Sequence, residues 1–388
     1  MPIVNRIAEF APELTEWRRD LHAHPELGFQ EHRTSDVVAA KLEAMGIDVH
    51  RGMAGTGVVG TLKVGDGSHS IGLRADMDAL PILERGEGDR LHRSTNDGVM
   101  HACGHDGHTT MLLGAAKYLA ETRNFDGTVH FIFQPAEEGL GGGDKMVQEG
   151  LFEQFPCETV WGMHNIPGIA VGDFAVAPGP MMAARDNFEI TITGKGSHAA
   201  MPHQGIDPMV VGAHMVMALQ TITSRNLNPR DALVLSVTQF HAGHAFNIVP
   251  DQITLRGTCR VFDPGIQQSL PERISRIMDG VCATFGATAE LNYISGYPAT
   301  INDPEQAAVA ADVAERLAGA DRVDRAPRPV MGAEDFSYML NQRPGAYIWA
   351  GNGDTAGVHH PDYDFNDDLL PHGASYWAQL VEDRLARV

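Results

Sequence analysis

His101-Ala102-Cys103-Gly104-His105-Asp106-Gly107-His108 runs into a Leu- and Ala-rich stretch over 107–121, and the apolar run 128–133 then meets Gln134-Pro135-Ala136-Glu137-Glu138. The spacing predicts a helix over 107–121 and a strand over 128–133. A helix feeding a strand, with polar residues massed at the junctions, is the building unit of an α/β sheet. Working outward, Gly57–Val64 and Ser70–Asp76 read as strands, and so does 159–162. Ile7, Phe10, Leu14, Trp17 and Leu21 recur at helical steps, and His24-Pro25-Glu26 should end that helix. A second helix is expected over 32–45, closed by Gly46. Ligand-capable residues fall at or just beyond strand ends, where open α/β sheets place their sites.

The pattern changes near residue 184. Strands are expected over 187–193, 232–240, 247–262 and 287–294, and helices over 207–224 and 267–285. The order βαββαβ is of the ferredoxin-like type. After residue 296 the α/β pattern resumes, with helices over 304–318, 334–341 and 372–386 and a strand over 346–350. The expected architecture is an α/β domain with a mixed, largely parallel sheet flanked by helices, formed by 1–183 and 296–388, with an α+β domain over 184–295 inserted into it.

A chain of 388 residues exceeds the usual span of one hydrophobic core, which also argues for two domains. The formal net charge of −21 argues against nucleic acid or an anionic membrane as partner. Cys103, Cys157, Cys259 and Cys282 form no CxxC pair, so neither a disulfide framework nor a zinc ribbon is suggested. No basic segment followed by an apolar one opens the chain, and no apolar run reaches the ~20 residues that span a bilayer. A cytoplasmic location is the expectation.

Cys103 and His105 lie two apart, a spacing that in extended backbone sends a thiolate and an imidazole to one face. The plain alternative is a buried cysteine beside surface histidines. Glu137 and Glu138 repel each other, so a cation should hold them. A turn after the strand would let one reach a metal and leave the other beside a bound water, whereas an ordinary Glu-Glu pair is a solvated acidic loop. His164 ends a strand, and His359 and His360 follow the glycine-rich run 351–353; each could be structural when taken alone. Asp76 and Asp78 could ligate a metal, orient a ligand histidine or pair with Arg74. The glycine-flanked loop 194–203 carries His198, which could reach a substrate or merely sit in a polar loop. Asn247 at a strand start and Arg260 near a strand end are further candidates.

Taken in order, these residues resemble the metallo-amidohydrolase superfamily of aminoacylases, acetylornithine deacetylases and glutamate carboxypeptidases, and within it the hippurate hydrolase and IAA–amino acid hydrolase branch. The resemblance rests on Arg18-Arg19-Asp20-Leu21-His22, Arg74-Ala75-Asp76-Met77-Asp78-Ala79-Leu80-Pro81, the runs 101–108, 134–138, 162–165, 194–203, 247–251, 332–336 and 359–367, and covers nearly the whole chain. It implies two divalent metal ions (Mn, Zn, Ni or Co) held by Cys103, His105, Glu138, His164 and His359, with His360 the neighbouring alternative to His359. It implies that 1–183 with 296–388 is the catalytic domain and that 184–295 is a lid and dimerisation domain, so a homodimer is expected. The implied reaction is hydrolysis of the amide of N-acyl amino acids. Glu137 would be general base on a metal-bound water, His198 would stabilise the oxyanion, and Asn247, Arg260 and Gly332 would contact the substrate. Alternatives in the same class are a dipeptidase or carboxypeptidase and an N-acetyl-diaminopimelate deacetylase. A catalytically silent metal or ligand sensor would have no use for Glu137.

Overall fold

Four strands rich in Val, Ile, Phe and Trp lie side by side in the order Gly127–Gln134, Ser70–Asp76, Thr159–Pro167 and Gly345–Gly353, all parallel, in the computed structural model, which describes residues 3–85 and 91–387. They are buried along almost their whole length. Parallel strands are covered on both faces, and for that reason these segments read as continuous apolar runs rather than alternating ones. The antiparallel pair Asp48–Met53 and Gly57–Val64 extends one side, and the short strands Phe174–Ala175 and Val323–Asp324 extend the other, giving a mixed sheet of eight.

This sheet belongs to the first of two units, made of Met1–Met181, Ile301–Arg328 and Asp335–Val388. The helix His105–Thr122 packs against Asn5–Ala23 and Leu370–Arg384. Their close approach needs a small residue: a Cβ added at Gly373 would fall 2.0 Å from Met111 Sδ. Asn5–Ala23 buries Ile7, Phe10, Leu14 and Leu21 as the periodicity predicts, but the same buried face carries Arg18 and His22.

The second unit comprises Met182–Thr300 and Pro329–Glu334, a segment that the sequence reading left with the flanking α/β part. Its antiparallel sheet has the order Leu233–Ala242, Gln252–Val261, Ala184–Thr193, Thr288–Ile294, with the helices Pro208–Arg225 and Pro264–Phe285 packed on it. Each helix opens with an aspartate whose side chain accepts a backbone N–H, followed by proline at the first turn. Pro264–Phe285 buries Leu270, Ile274, Met278 and Cys282, a stripe with a step of four.

Three expected elements differ. The helix over 107–121 begins earlier, at His105, because Gly104 takes a left-handed conformation and starts it. The strand over 247–262 breaks at Pro250-Asp251: Ile248–Val249 pairs with Ser197–His198, and only Gln252–Val261 joins the four-stranded sheet. Pro250 has no N–H for a ladder, and Asp251 accepts the Gly196 N–H at 2.7 Å. The helix over 334–341 shrinks to Ser337–Leu340, and the Asp335 side chain before it is engaged by other segments. Among the described residues no helix is long and apolar enough to cross a membrane.

Candidate metal centre

The side chains that the sequence singles out in the first unit come together at the carboxyl ends of the parallel strands. Gly104 has φ 93°, and a Cβ there would lie 2.2 Å from Asn165 Oδ1 and 2.5 Å from Tyr363 Oη. Only glycine fits. The Cys-x-His spacing therefore works through a left-handed glycine at a helix start, not through extended backbone as expected, and it aims Cys103 and His105 at one place. Ala136 (φ 54°) turns the chain after Gln134, and its N–H donates to the buried carboxylate of Glu31 at 2.8 Å. His359 (φ 64°) is likewise held in the left-handed region, with its N–H donating to Ala102 O at 2.6 Å. Uncommon backbone states of non-glycine residues at two contributing positions are typical of sites held by their surroundings.

Cys103 Sγ lies 3.3 Å from His164 Nε2. Glu138 Oε1 lies 3.1 Å from His359 Nε2 and 4.0 Å from His105 Nε2. Among the described residues, three of the five donor-atom sets lying within 4.8 Å internally join these residues: Cys103, His105 and His164; Cys103, Glu138 and His359; His105, Glu137 and Glu138. All five residues expected as ligands are thus brought together, with Glu137 beside them. Of the two adjacent histidines it is His359 that joins the cluster; His360 turns to Asp362 instead.

The donors are poised for a cation. His105 Nδ1 donates to Asp78 O (2.8 Å) and His164 Nδ1 to Asn165 O (2.7 Å). A carbonyl only accepts, so each neutral ring presents the lone pair of Nε2 to the cluster. His105 Nε2 is buried without a hydrogen-bond partner of good geometry among the described residues, and buried Glu138 Oε1 meets the imidazole of His359 at 3.1 Å. Buried donor atoms of this kind are costly unless something positive meets them. A thiolate, three imidazoles and a carboxylate are donors to divalent transition ions, so the residues present fit a pair of divalent ions.

Asp78 organises the acidic turn. Its two carboxylate oxygens accept the N–H groups of Glu137 (2.9 Å) and Glu138 (3.0 Å), and Oδ1 lies 3.3 Å from His105 Nδ1. Asp76 does something else: it pairs with Arg74 at 2.8 Å and accepts from His108 Nδ1 at 2.7 Å. Burial opposes its charge, but His105, His108 and Arg74 outweigh that and hold it well below the usual carboxylate range. Sequence reasoning missed two supports. Glu31 carries no motif. His22 is bonded to Asp106 at 2.8 Å and so fixes the turn that bears His105; the run Arg18–His22 carried part of the resemblance, but no role was assigned to His22 from it.

Burial and the neighbouring Glu138 push the Cys103 thiol up, and hydrogen bonds to Cys103 and Glu138 raise His359 to about 10. Among the protein's own groups, protons are retained where a bound cation would displace them. Metal affinity at such a site rises with pH because the ligands must shed them.

His198, Asn247, Arg260 and Gly332 all lie in the second unit. His198 is exposed on the two-stranded ribbon beside Ile248, its Nδ1 accepting the Ala200 N–H at 3.1 Å. Asn247 lies in the turn just before Ile248–Val249 of that ribbon, its backbone O accepting the Ala199 N–H at 3.0 Å. Arg260 is in the four-stranded sheet, half-buried, and donates to Cys259 O at 2.9 Å. Gly332 accepts the Ala183 N–H at 2.8 Å. The structure therefore groups His198 with Asn247 and sets Arg260 and Gly332 on other segments.

Residues 72–383 match the family described as peptidase family M20/M25/M40. The chain belongs to that family. The matched span of this M20 chain takes in every clustered residue from Cys103 to His359, while the helix bearing Arg18 and His22 lies before it. Relatives include hippurate hydrolase of Campylobacter jejuni, 40% identical over 98% of this chain and 99% of its own length. IAA-amino acid hydrolase ILR1-like 2 of Arabidopsis thaliana is 41% identical over 98% of this chain and 88% of its own. Among solved structures, the Bacillus subtilis YXEP protein, a dinuclear metal binding peptidase of the M20 family, superposes with a TM-score of 0.86 at 35% identity, covering 98% of this chain and 100% of that one.

Proposed function

We propose that this chain is a metal-dependent hydrolase of linear amides whose substrates are N-acyl amino acids. The observation that carries the reading is the convergence of Cys103, His105, Glu138, His164 and His359 in overlapping ligand sets, with Glu137 next to them. Relatives named for hydrolysis of hippurate and of IAA–amino acid conjugates support the substrate class, and the dinuclear YXEP protein supports two divalent ions per chain. Divalent ions, when bound, acidify water and polarise a carbonyl.

Glu137 is assigned as the general base. Its carboxylate takes a proton from the attacking water and passes it to the amine nitrogen as the C–N bond breaks, so that water and amide yield a carboxylic acid and a free amino acid. Its backbone, pinned by Asp78, keeps that carboxylate beside the ligand sets. Burial of Glu137 keeps bulk water away from its carboxylate. His198 is assigned to the developing oxyanion, and Asn247, Arg260 and Gly332 to the substrate, on the family resemblance and their chemistry. Pairing of two chains through the second unit is part of the same reading.

The test is a substrate panel with metal analysis. Hippurate, N-acetyl amino acids and indoleacetyl amino acids are expected to be cleaved, with two equivalents of divalent metal per chain, and a chelator should abolish turnover. Glu137→Gln should keep its metal and lose turnover by on the order of a hundredfold or more. Faster cleavage of dipeptides than of any acyl amino acid would move the chain to the dipeptidase or carboxypeptidase class. Undiminished amide cleavage after chelation would end the proposal.

A further inference from the structure

Behind the acidic turn lies a fully buried polar clamp that neither the ligand set nor the general base accounts for. Arg74 uses three nitrogens on three residues: Nε donates to Gln134 Oε1 (2.8 Å), Nη1 to Asp76 Oδ2 (2.8 Å) and Nη2 to Asp335 Oδ1 (3.0 Å). Gln134 Nε2 donates to both oxygens of Asp335, at 2.7 and 2.9 Å, and the Gly143 N–H donates to Asp335 Oδ2 at 2.8 Å. Arg74, Asp76, Gln134 and Asp335 are each at most 1% exposed. Gly143 must be glycine for this approach, since a Cβ there would lie 2.9 Å from Asp335 O.

The clamp reaches the base through the main chain. Asp335 donates its own N–H to Glu137 Oε1 at 3.4 Å. Asp335 is also the first residue after the second unit's last segment, Pro329–Glu334. Its carboxylate thus fastens the returning chain to two strands and a helix start, and the fastened backbone presents one donor to Glu137. A buried carboxylate holding four hydrogen bonds from three donor groups fixes its residue far more tightly than an exposed ion pair would.

We propose that Asp335 is a positioning residue for Glu137: anchored by Arg74, Gln134 and Gly143, it fixes the backbone N–H that orients the base carboxylate. The proposal rests on the reading of Glu137 as general base. Asparagine at 335 has one acceptor oxygen and an amide that would face donors on either side, so it cannot reproduce the clamp. Arg74 would still keep Asp76, so no charge is stranded.

The experiment is a double-mutant cycle of Asp335→Asn with Glu137→Gln, with hippurate as substrate and bound metal counted in every variant. Asp335→Asn alone is expected to keep the parental metal content and a KM within about threefold, and to lose about 10- to 100-fold in kcat, the range for a lost supporting partner. In the Glu137→Gln background the same substitution should lower kcat less than about twofold, since it acts through a group already removed. Arg74→Lys, which keeps the charge but gathers its donors on one nitrogen and so cannot span Gln134, Asp76 and Asp335, should repeat the pattern. An equal loss in both backgrounds, metal content falling in step with kcat, parental kcat in Asp335→Asn, or failure of both clamp variants to fold would each overturn the proposal. Near-parental turnover by Glu137→Gln alone would instead remove the base assignment, and the clamp's role with it.

Discussion

Replacing Asp78 tests how the acidic turn is built. The Asp78 carboxylate accepts two buried backbone N–H groups, those of Glu137 at 2.9 Å and Glu138 at 3.0 Å, and stands 3.3 Å from His105 Nδ1. Asparagine offers one acceptor oxygen, so one of those N–H groups must face an amide –NH2. Leaving one buried donor unsatisfied costs about 1–3 kcal/mol, and alanine, which abandons both, should cost about 2–6 kcal/mol. Against a typical total of about 5–15 kcal/mol, the alanine variant could lose much of its stability. The assay is urea unfolding with chelator present, so that metal binding does not contribute, followed by metal titration of the refolded variants. The urea midpoint should fall in the order parent, Asp78→Asn, Asp78→Ala, and metal affinity should drop about 10- to 100-fold because His105 and Glu138 lose their support. An Asp78→Asn protein with the parental midpoint and parental metal affinity would show that the two N–H groups do not depend on this carboxylate.

His359→Ala should lose bound metal and turnover, whereas His360→Ala, whose side chain is 49% exposed and turned to Asp362, should keep both; metal counting per chain decides between them. Gly104→Ala should destabilise by at least about 1–2 kcal/mol from the left-handed backbone alone, with the clash against Asn165 and Tyr363 added, measured by thermal or urea unfolding. His22 has a pKa raised to about 9: burial lowers it, but the bonds to Asp106 and Glu84 outweigh burial. Because the folded value lies above the ordinary 6.5, the stabilisation is complete below about pH 6.5 and is lost as pH rises to about 9. Urea midpoints should therefore decline over that interval in the parent and decline less in His22→Gln; parallel pH curves would count against a charged His22 in the fold.

Periodicity carried much of the architecture. The helices at Asn5–Ala23, Pro208–Arg225 and Pro264–Phe285 each bury a stripe at helical steps, and stripes of that kind are local facts of the sequence. Elements whose form depends on a distant partner were misread. The helix over 334–341 shrank because Asp335 is bonded to Arg74 and Gln134, more than two hundred positions upstream for Arg74. Gly104 looked like a spacer in an extended run, and its left-handed role emerges only beside Asn165 and Tyr363. Arg18 and His22 sat on an apolar helix face with no sign of what would receive them, because Asp106 and Asp367 arrive from elsewhere in the chain.

By itself the sequence determined the alternating elements, the donor chemistry and the identity of the residues that could bear it, since residue type and short-range spacing are local properties. Only the tertiary structure decided which of two adjacent histidines joins Cys103 and Glu138, and which aspartate holds the acidic turn and which serves Arg74. Those choices are made by strands and loops far apart in the chain meeting at one edge of a sheet, where a buried donor or acceptor must find its partner or pay the full cost of lost hydration.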